Sequence, residues 1–306
     1  MVKGIVFGAG FMGKRISEYM GYDLRKFNVL NKSKLEKFLD MEHPDVVINC
    51  VGKTGRPNID WCETHKEDTV LSNIAAPLML GAECSKRGIY MVHLGSGCIY
   101  NGYKNGYGFT EVDDANFFGE QFYGDTKIYA EDMLKDLIPG KILQLRIRMP
   151  IDDRPDERNL IDKLKKYSKL IKIGNSMTTI PHALPAIKWL IEKKSTGIYN
   201  VVNPGMISAG DIMEMYKEIV DPTHEFEVMS HAELDRVTVS KRSNCKLNMD
   251  KLKLELRGSR IWIPEIHGAV RECLIKYKEN MEISHEQKIS GKINRRKPEV
   301  SSECAE

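Results

Sequence analysis

The sequence predicts an α/β protein built on a doubly wound parallel sheet, with a smaller C-terminal lobe. Three observations carry this: apolar runs alternate with amphipathic stretches, a glycine-rich turn follows the first run directly, and the chain changes character near residue 150. The runs are Gly4–Phe7, Val46–Val51, Ile89–Leu94 and Ile142–Ile147. Between them, Leu71, Ile74, Ala75, Leu78 and Ala82, and later Ile128, Met133, Leu134 and Leu137, recur three or four apart, the spacing of one helix face. Strand–helix alternation implies parallel pairing through crossover helices.

After the first strand comes Gly8-Ala-Gly10-Phe11-Met12-Gly13, a G-x-G-x-x-G spacing that opens a helix. Gly8 allows the tight turn, Gly10 lets backbone approach a pyrophosphate, and Gly13 lets the helix sit against the strand. The helix N-terminus then offers free N–H groups to phosphates. This is the Rossmann dinucleotide turn in its required context, with Phe11 and Met12 in the turn and Val51 and Gly52 at the end of the next long run as further cofactor contacts. The second strand is expected to end within Phe27–Ser33, where no acid stands ready for a ribose 2′-hydroxyl. Lys14, Arg15 and Lys32 are cations suited to a 2′-phosphate, so NADPH is the expected cofactor. The alternative is three solvated surface charges.

Residues 1–150 are therefore expected to form the NADPH-binding domain. After Arg146-Ile-Arg-Met-Pro150 a polar loop, Asp152–Asn159, leads into shorter mixed elements. These include a strand at Gly197–Val202 and a helix marked by Ile212, Met215, Tyr216 and Ile219. Residues 151–278 are expected to be mainly a substrate-binding lobe, with some segments returning to the first domain. Residues 279–306 are polar with few apolar anchors, and a disordered tail is expected.

Composition excludes several function classes. Of 306 residues, 42% are apolar and 29% charged, and 46 basic against 43 acidic residues leave a net charge of +3. That balance does not point to a nucleic-acid partner, and no apolar run approaches ~18 residues, so no membrane span is expected. The first residues enter a strand with no signal-peptide layout. Seven cysteines, an odd number at irregular spacing with no CxxC pair, argue against a disulfide framework or zinc site and for a reducing, cytoplasmic setting. His65, His93 and His182 lack metal-ligand spacing, and no metal is expected.

Tyr123-Gly-Asp-Thr-Lys127 places a tyrosine and a lysine on one helix face. An ammonium beside the phenol would lower its pKa from about 10 and ready it to give a proton to a carbonyl as hydride arrives. Upstream, Leu94-Gly-Ser-Gly-Cys-Ile-Tyr100 puts Ser96 at a strand end, where a hydroxyl would meet the same carbonyl. Glycine turn, strand-end serine and YxxxK, in this order, resemble the extended short-chain dehydrogenase/reductase superfamily. The stretch Asn49-Cys-Val-Gly-Lys-Thr-Gly-Arg-Pro-Asn-Ile-Asp-Trp-Cys-Glu-Thr-His-Lys66 narrows the resemblance. So do Gly97-Cys-Ile, Arg146-Ile-Arg-Met-Pro-Ile151, Asn175-Ser-Met-Thr178, Asn203-Pro-Gly205 and Arg242-Ser-Asn244. Together, from the first strand to about residue 277, they resemble the plant-type nucleotide-rhamnose synthases, bifunctional 3,5-epimerase/4-reductases.

That resemblance implies a UDP- or dTDP-4-keto-6-deoxy-glucose substrate, inverted at C3 and C5 and then reduced at C4 with NADPH to nucleotide-linked L-rhamnose. Both inverted carbons flank the ketone, so the group that polarises it for hydride can also stabilise an enolate. By position, Tyr123, Lys127 and Ser96 are the reductase set, while Cys98 and Lys163 match the epimerising acid/base pair. Spacing alone does not separate Lys163 from Lys165 or Lys166. Arg56, Asn58, Arg148, Asn175 and Arg242 are polar groups suited to a sugar or diphosphate, and equally to structural hydrogen bonds. A separate 4,6-dehydratase is expected to supply the substrate, and a homodimer is one possible assembly. Two other readings stay open: a 4-reductase that relies on a separate epimerase, and a non-catalytic nucleotide-binding regulatory subunit.

Overall fold

The computed structural model describes residues 2–294, with side chains through Ile283. The buried strand β1 (Gly4–Phe7) passes through the glycine turn into α1 (Phe11–Met20), followed by β2 (Asp23–Arg25), α2 (Lys32–Glu42) and β3 (Val46–Asn49). Three short helices come next, α3 (Asp60–Thr64), α4 (Lys66–Val70) and α5 (Ala76–Arg87), with one π-helical turn at Leu71–Ala75 before α5. β4 (Tyr90–Ser96), α6 (Phe122–Leu137) and β5 (Ile142–Ile147) complete the first half. Beyond it lie α7 (Leu160–Leu164), β6 (Lys169–Ile171), α8 (Ile180–Glu192), β7 (Gly197–Asn200) and α9 (Ala209–Ile219). The chain then forms β8 (Glu227–Met229), α10 (His231–Val237), α11 (Asp250–Glu255) and α12 (Ile266–Asn294).

Six strands form one sheet in the order β2-β1-β3-β4-β5-β7, and every neighbouring pair is parallel. Side chains alternate across it as the strand period requires. Ile5, Phe7 and Val47 pack with Leu80, Met91 and Leu134 on one face. Val6, Val46 and Ile48 pack with Val92, Leu145, Leu184 and Ile187 on the other. A parallel sheet is stable when helices cover both faces, which is why these strands read as unbroken apolar runs. Each fully buried aliphatic side chain contributes about 1.5–3 kcal/mol.

Two expectations need correction. The second strand ends at Arg25, and Phe27–Ser33 instead turns into α2 with Asn31 as its N-cap. α12 runs through residue 279 without a break: Tyr277 is buried, and Asn280 Nδ2 donates to the Asp153 carbonyl at 2.8 Å. Residues 295–306, the rest of the expected tail, lie outside the described residues.

The chain leaves the sheet near residue 150 and later returns to it. β7 pairs with β5, and α8 lies on one sheet face, so part of 151–278 packs with the first half. The remainder has its own core, with Ile161 and Leu164 of α7, Ile212 and Tyr216 of α9, and Val270, Leu274 and Tyr277 of α12. No described helix is long and apolar enough to cross a membrane.

Candidate active site

Parallel strands bring their C-terminal ends to one edge of the sheet, where α/β proteins place ligands. Here the edge opens into a cleft of about 570 Å³ between the sheet and the lobe containing α7. Its floor is the glycine turn. Gly8 adopts φ +99°, and a Cβ on Gly13 would stand 1.9 Å from the Gly8 carbonyl, so α1 meets β1 only because both are glycine. A Cβ on Gly10 would meet nothing within 4 Å, leaving open space over the turn where a pyrophosphate can approach backbone. Phe11, Met12, Val51 and Gly52 line the same cleft, and these residues fit a dinucleotide.

One wall comes from β4 and α6. Ser96 closes β4, and its Oγ accepts the Cys98 amide at 3.1 Å. Tyr123 and Lys127 occupy the first turns of α6, and both are buried. α6 is firmly held. Glu63 accepts the Phe122 amide at 2.8 Å, and the buried Arg146 of β5 makes a forked pair with Glu131 at 2.5 and 2.9 Å. Burial, and then the nearby Cys98 thiol, push the Tyr123 phenol up, with Ser96 acting against them. This is opposite to the lowering expected from Lys127. Burial also brings Lys127 down to about 8, because a charged ammonium is poorly solvated there, with the cysteines at 50, 62 and 98 opposing. Tyr123 is thus held protonated, which is what a proton donor to a ketone requires.

Asn73 belongs to this wall and carried no signal in the sequence. It sits in the π-helical turn, a feature frequent at functional sites. Its Oδ1 accepts the Lys53 amide at 2.7 Å, and its Nδ2 donates to Thr126 Oγ1 at 3.2 Å. A Cβ on Gly52 would lie 3.2 Å from Asn73 Oδ1 and 3.4 Å from Lys127 Nζ, so the three residues converge. The asparagine lies beside the Ile74–Ala75 apolar stripe, and a straight α-helix through Leu71–Ala82 would not single it out.

Cys98 lines the cleft just past Ser96, and Lys163 lines it from α7. Lys163 has no hydrogen-bond or ion-pair partner through its ammonium among the described residues. Burial lowers its pKa first; Arg158 and Lys166 add to this, and Asp156 opposes them. α7 is short but fixed: Asn159 caps it, and Asp162 accepts from Tyr277 at 2.6 Å and Lys165 at 3.0 Å. Lys165 therefore turns away into that network, which distinguishes it from Lys163. Arg158, also unforeseen, lines the cleft and donates to the Gly55 carbonyl at 2.9 Å.

Several expected contacts are placed elsewhere. Arg148 and Asn175 are buried and bonded to each other at 2.7 Å, and Arg148 also donates to Ser243 Oγ at 2.9 Å. They join β5 to the later segment and do not line the cleft. Arg242 makes a forked pair with Asp60 at 2.8 Å on both arms, holding that carboxyl down to about 2 against its burial, and Asn58 accepts the Asp60 amide. This clamp shapes the loop carrying Gly55, whose φ of +68° and close approach to Trp61 explain the glycine there. Arg56 does line the cleft, paired with Glu157 at 2.6 Å. Among the expected 2′-phosphate cations, Arg15 is engaged by Asp152 at 2.8 Å and Asp153 at 3.3 Å, so it ties α1 to the following loop instead. Lys14 is exposed, and Lys32 opens α2, 57% exposed and 3.9 Å from Glu36. Because β2 ends at Arg25, the exposed Lys26 stands where the 2′ position would be read. Among the described residues, no group of three or more His, Cys, Asp or Glu is placed to hold a metal.

A dinucleotide cradle on one strand end, faced by a serine–tyrosine–lysine cluster on the next wall, defines an extended short-chain dehydrogenase/reductase. Residues 11–151 match the family model described as the RmlD substrate binding domain. The chain is 36% identical over 277 residues, 88% of each sequence, to the bifunctional dTDP-4-dehydrorhamnose 3,5-epimerase/dTDP-4-dehydrorhamnose reductase of Arabidopsis thaliana. It is 34% identical over 288 residues to a trifunctional UDP-glucose 4,6-dehydratase/UDP-4-keto-6-deoxy-D-glucose 3,5-epimerase/UDP-4-keto-L-rhamnose-reductase of the same plant, and spans 41% of that protein's length. Among solved structures it resembles a UDP-rhamnose synthase from Acanthamoeba polyphaga mimivirus, with a TM-score of 0.81, 32% identity and coverage of 90% of this chain and 99% of that one. In fold alone, at 17% identity and a TM-score of 0.76, covering 90% of this chain and 100% of that one, it matches a dTDP-4-dehydrorhamnose reductase from Bacillus anthracis in complex with NADP. The chain belongs to the nucleotide-rhamnose epimerase/reductase family.

Proposed function

We propose that the protein catalyses NADPH-dependent 3,5-epimerisation and 4-keto reduction of UDP- or dTDP-4-keto-6-deoxy-D-glucose, giving nucleotide-linked L-rhamnose. The observation that carries this is that Ser96, Cys98 and Tyr123 on one wall and Lys163 on the other line a single cleft. Gly10 and Gly13, with Lys14 and Lys26 for the 2′-phosphate, would hold NADPH, which would supply the hydride. Ser96 and Tyr123 hydrogen-bond the C4 oxygen, and Tyr123 delivers its proton there as the ketone becomes an alcohol. Lys127 orients that end of the site. Cys98 and Lys163 approach the ring from two sides, which lets one remove and the other return a proton at C3 and C5 while Ser96 and Tyr123 stabilise the enolate oxygen.

Purified protein given either 4-keto-6-deoxy nucleotide sugar plus NADPH, and no other enzyme, should form the rhamnose product by NMR. Turnover of 4-keto-rhamnose alone would restrict it to a reductase, and no turnover of either would leave a binding subunit. The cytoplasm and a substrate supplied by a 4,6-dehydratase on another chain complete this reading. A homodimer is proposed through the exposed stripe Tyr129, Met133 and Leu137 of α6, and Met133→Glu should reduce the mass seen by light scattering to that of one chain.

A further inference from the structure

We propose that the pocket formed by Arg56, Arg158, Lys163, Lys166 and Tyr167 seats the diphosphate of the substrate. This rests on the nucleotide-sugar reading above. The pocket, about 190 Å³, shares Arg56, Arg158 and Lys163 with the reaction cleft, so the two form a continuous path from Tyr123 to Lys166. C1, which carries the diphosphate, lies across the pyranose ring from C4. A sugar with its ketone at Ser96 and Tyr123 therefore directs the diphosphate away from α6, toward the wall bearing these cations.

The charge balance of the pocket points the same way. Four cations line it against one acid, Glu157, which already pairs with Arg56. Arg158 is held by neutral acceptors, the Gly55 carbonyl and Thr54 Oγ1, and so keeps its charge uncompensated. Lys166 is exposed and has no ion-pair partner among the described residues. After burial, Arg158 and Lys166 both depress Lys163, with Asp156 opposing them, so the cations stand close enough to act on one another. A guanidinium fork with ammonium groups beside it is suited to diphosphate oxygens. The other arginines available to a diphosphate, Arg148 and Arg242, already bond within the protein.

The test uses the full chain saturated with NADPH and titrated by calorimetry with UDP, UMP and uridine, then with the thymidine series. The Lys166 side chain is exposed and makes no hydrogen bond or ion pair among the described residues, so its variants should melt with the wild type. Lys166→Ala should weaken UDP about tenfold and Lys166→Glu further, whereas uridine affinity should not change and Lys166→Arg should retain binding. The UDP affinity of the wild type should also fall more steeply with salt than that of Lys166→Ala. Equal UDP affinity in the wild type and Lys166→Glu at low ionic strength would place the diphosphate elsewhere and leave the nucleotide-sugar reading intact. A wild-type protein that binds neither UDP nor dTDP would overturn both.

Discussion

The wall carrying Ser96, Tyr123 and Lys127 is built from a seven-residue buried strand and a 16-residue helix, whereas Lys163 stands on a five-residue helix after a folded loop. The first wall is part of the sheet's own core, and its groups are set by strand register and helix period. The second is held by side-chain hydrogen bonds between residues far apart in the chain, such as Asp162 with Tyr277. A cleft made this way can keep one half-reaction rigid while the other depends on how two lobes meet. The two walls should therefore fail separately under mutation.

The largest effect is expected on the rigid wall. Tyr123→Phe should lower ketone reduction by roughly 10²–10⁴-fold, the usual worth of a general acid, with NADPH affinity nearly unchanged by fluorescence titration. A variant that keeps most of its kcat would move the proton donor elsewhere. Cys98→Ala, at the edge of that wall, and Lys163→Met, on the facing one, should each cut solvent deuterium exchange at C3 or C5 by about 10²-fold in D₂O without NADPH. Both should still reduce 4-keto-rhamnose supplied as substrate. If exchange and reduction fall together, these residues hold the shape of the cleft rather than move protons, and the contrast between the walls collapses.

Lys127 sharpens the comparison through stability. Its folded pKa of about 8 lies below its ordinary 10.5, so between these values the unfolded chain binds a proton that the folded chain lacks. Stability should rise with pH across that window, and the cost of the buried charge is fully present below it. Lys127→Met should abolish reduction yet stabilise the ligand-free protein by about 3 kcal/mol at pH 7, a gain that fades toward pH 10.5. A variant less stable than wild type at pH 7 would mean that the ammonium is well compensated. On the other wall Tyr277→Phe removes the hydroxyl between Asp162 and Lys165. It should cost about 1 kcal/mol in thermal unfolding and slow deuterium exchange severalfold without changing reduction.

The same division explains what could be read from the sequence. Gly8, Gly10 and Gly13, Ser96 and the Tyr123–Lys127 pair follow from local spacing on long elements, and the strands Gly4–Phe7 and Ile142–Ile147 were legible as apolar runs. β2 was not, because it is three residues long and only partly buried. Phe27 looks more strand-like, but its ring packs edge-on against Phe7 and Phe38, at 5.4 and 5.3 Å, as part of a loop. Arg148, Asn175 and Arg242 are indistinguishable from ligand contacts in sequence, since the groups that engage them come from segments 27 to 182 residues away. Asn73 and Arg158 emerge only once the fold brings their segments to the cleft.

The smallest expected effect concerns the cations near the cofactor turn, where the same test of prior engagement applies. Arg15 is bound to Asp152 and Asp153, beneath the loop that leads to α7. Lys26 follows β2, is exposed, and has no ion-pair partner among the described residues. A surface cation facing a 2′-phosphate contributes about 0.5–1 kcal/mol, so Lys26→Ala should raise the KM for NADPH roughly two- to fivefold and leave that for NADH alone. Arg15→Gln should do the reverse. It should leave the NADPH-to-NADH ratio unchanged and lower the melting temperature, because it strands the buried Asp152, whose proton affinity burial already raises to about pH 6. Without Arg15 to hold it down, Asp152 takes up its proton at a higher pH than in the wild type, so acidification should recover part of the loss. A changed cofactor ratio in Arg15→Gln with no change in stability would return Arg15 to the phosphate and make the loop's anchorage independent of α1.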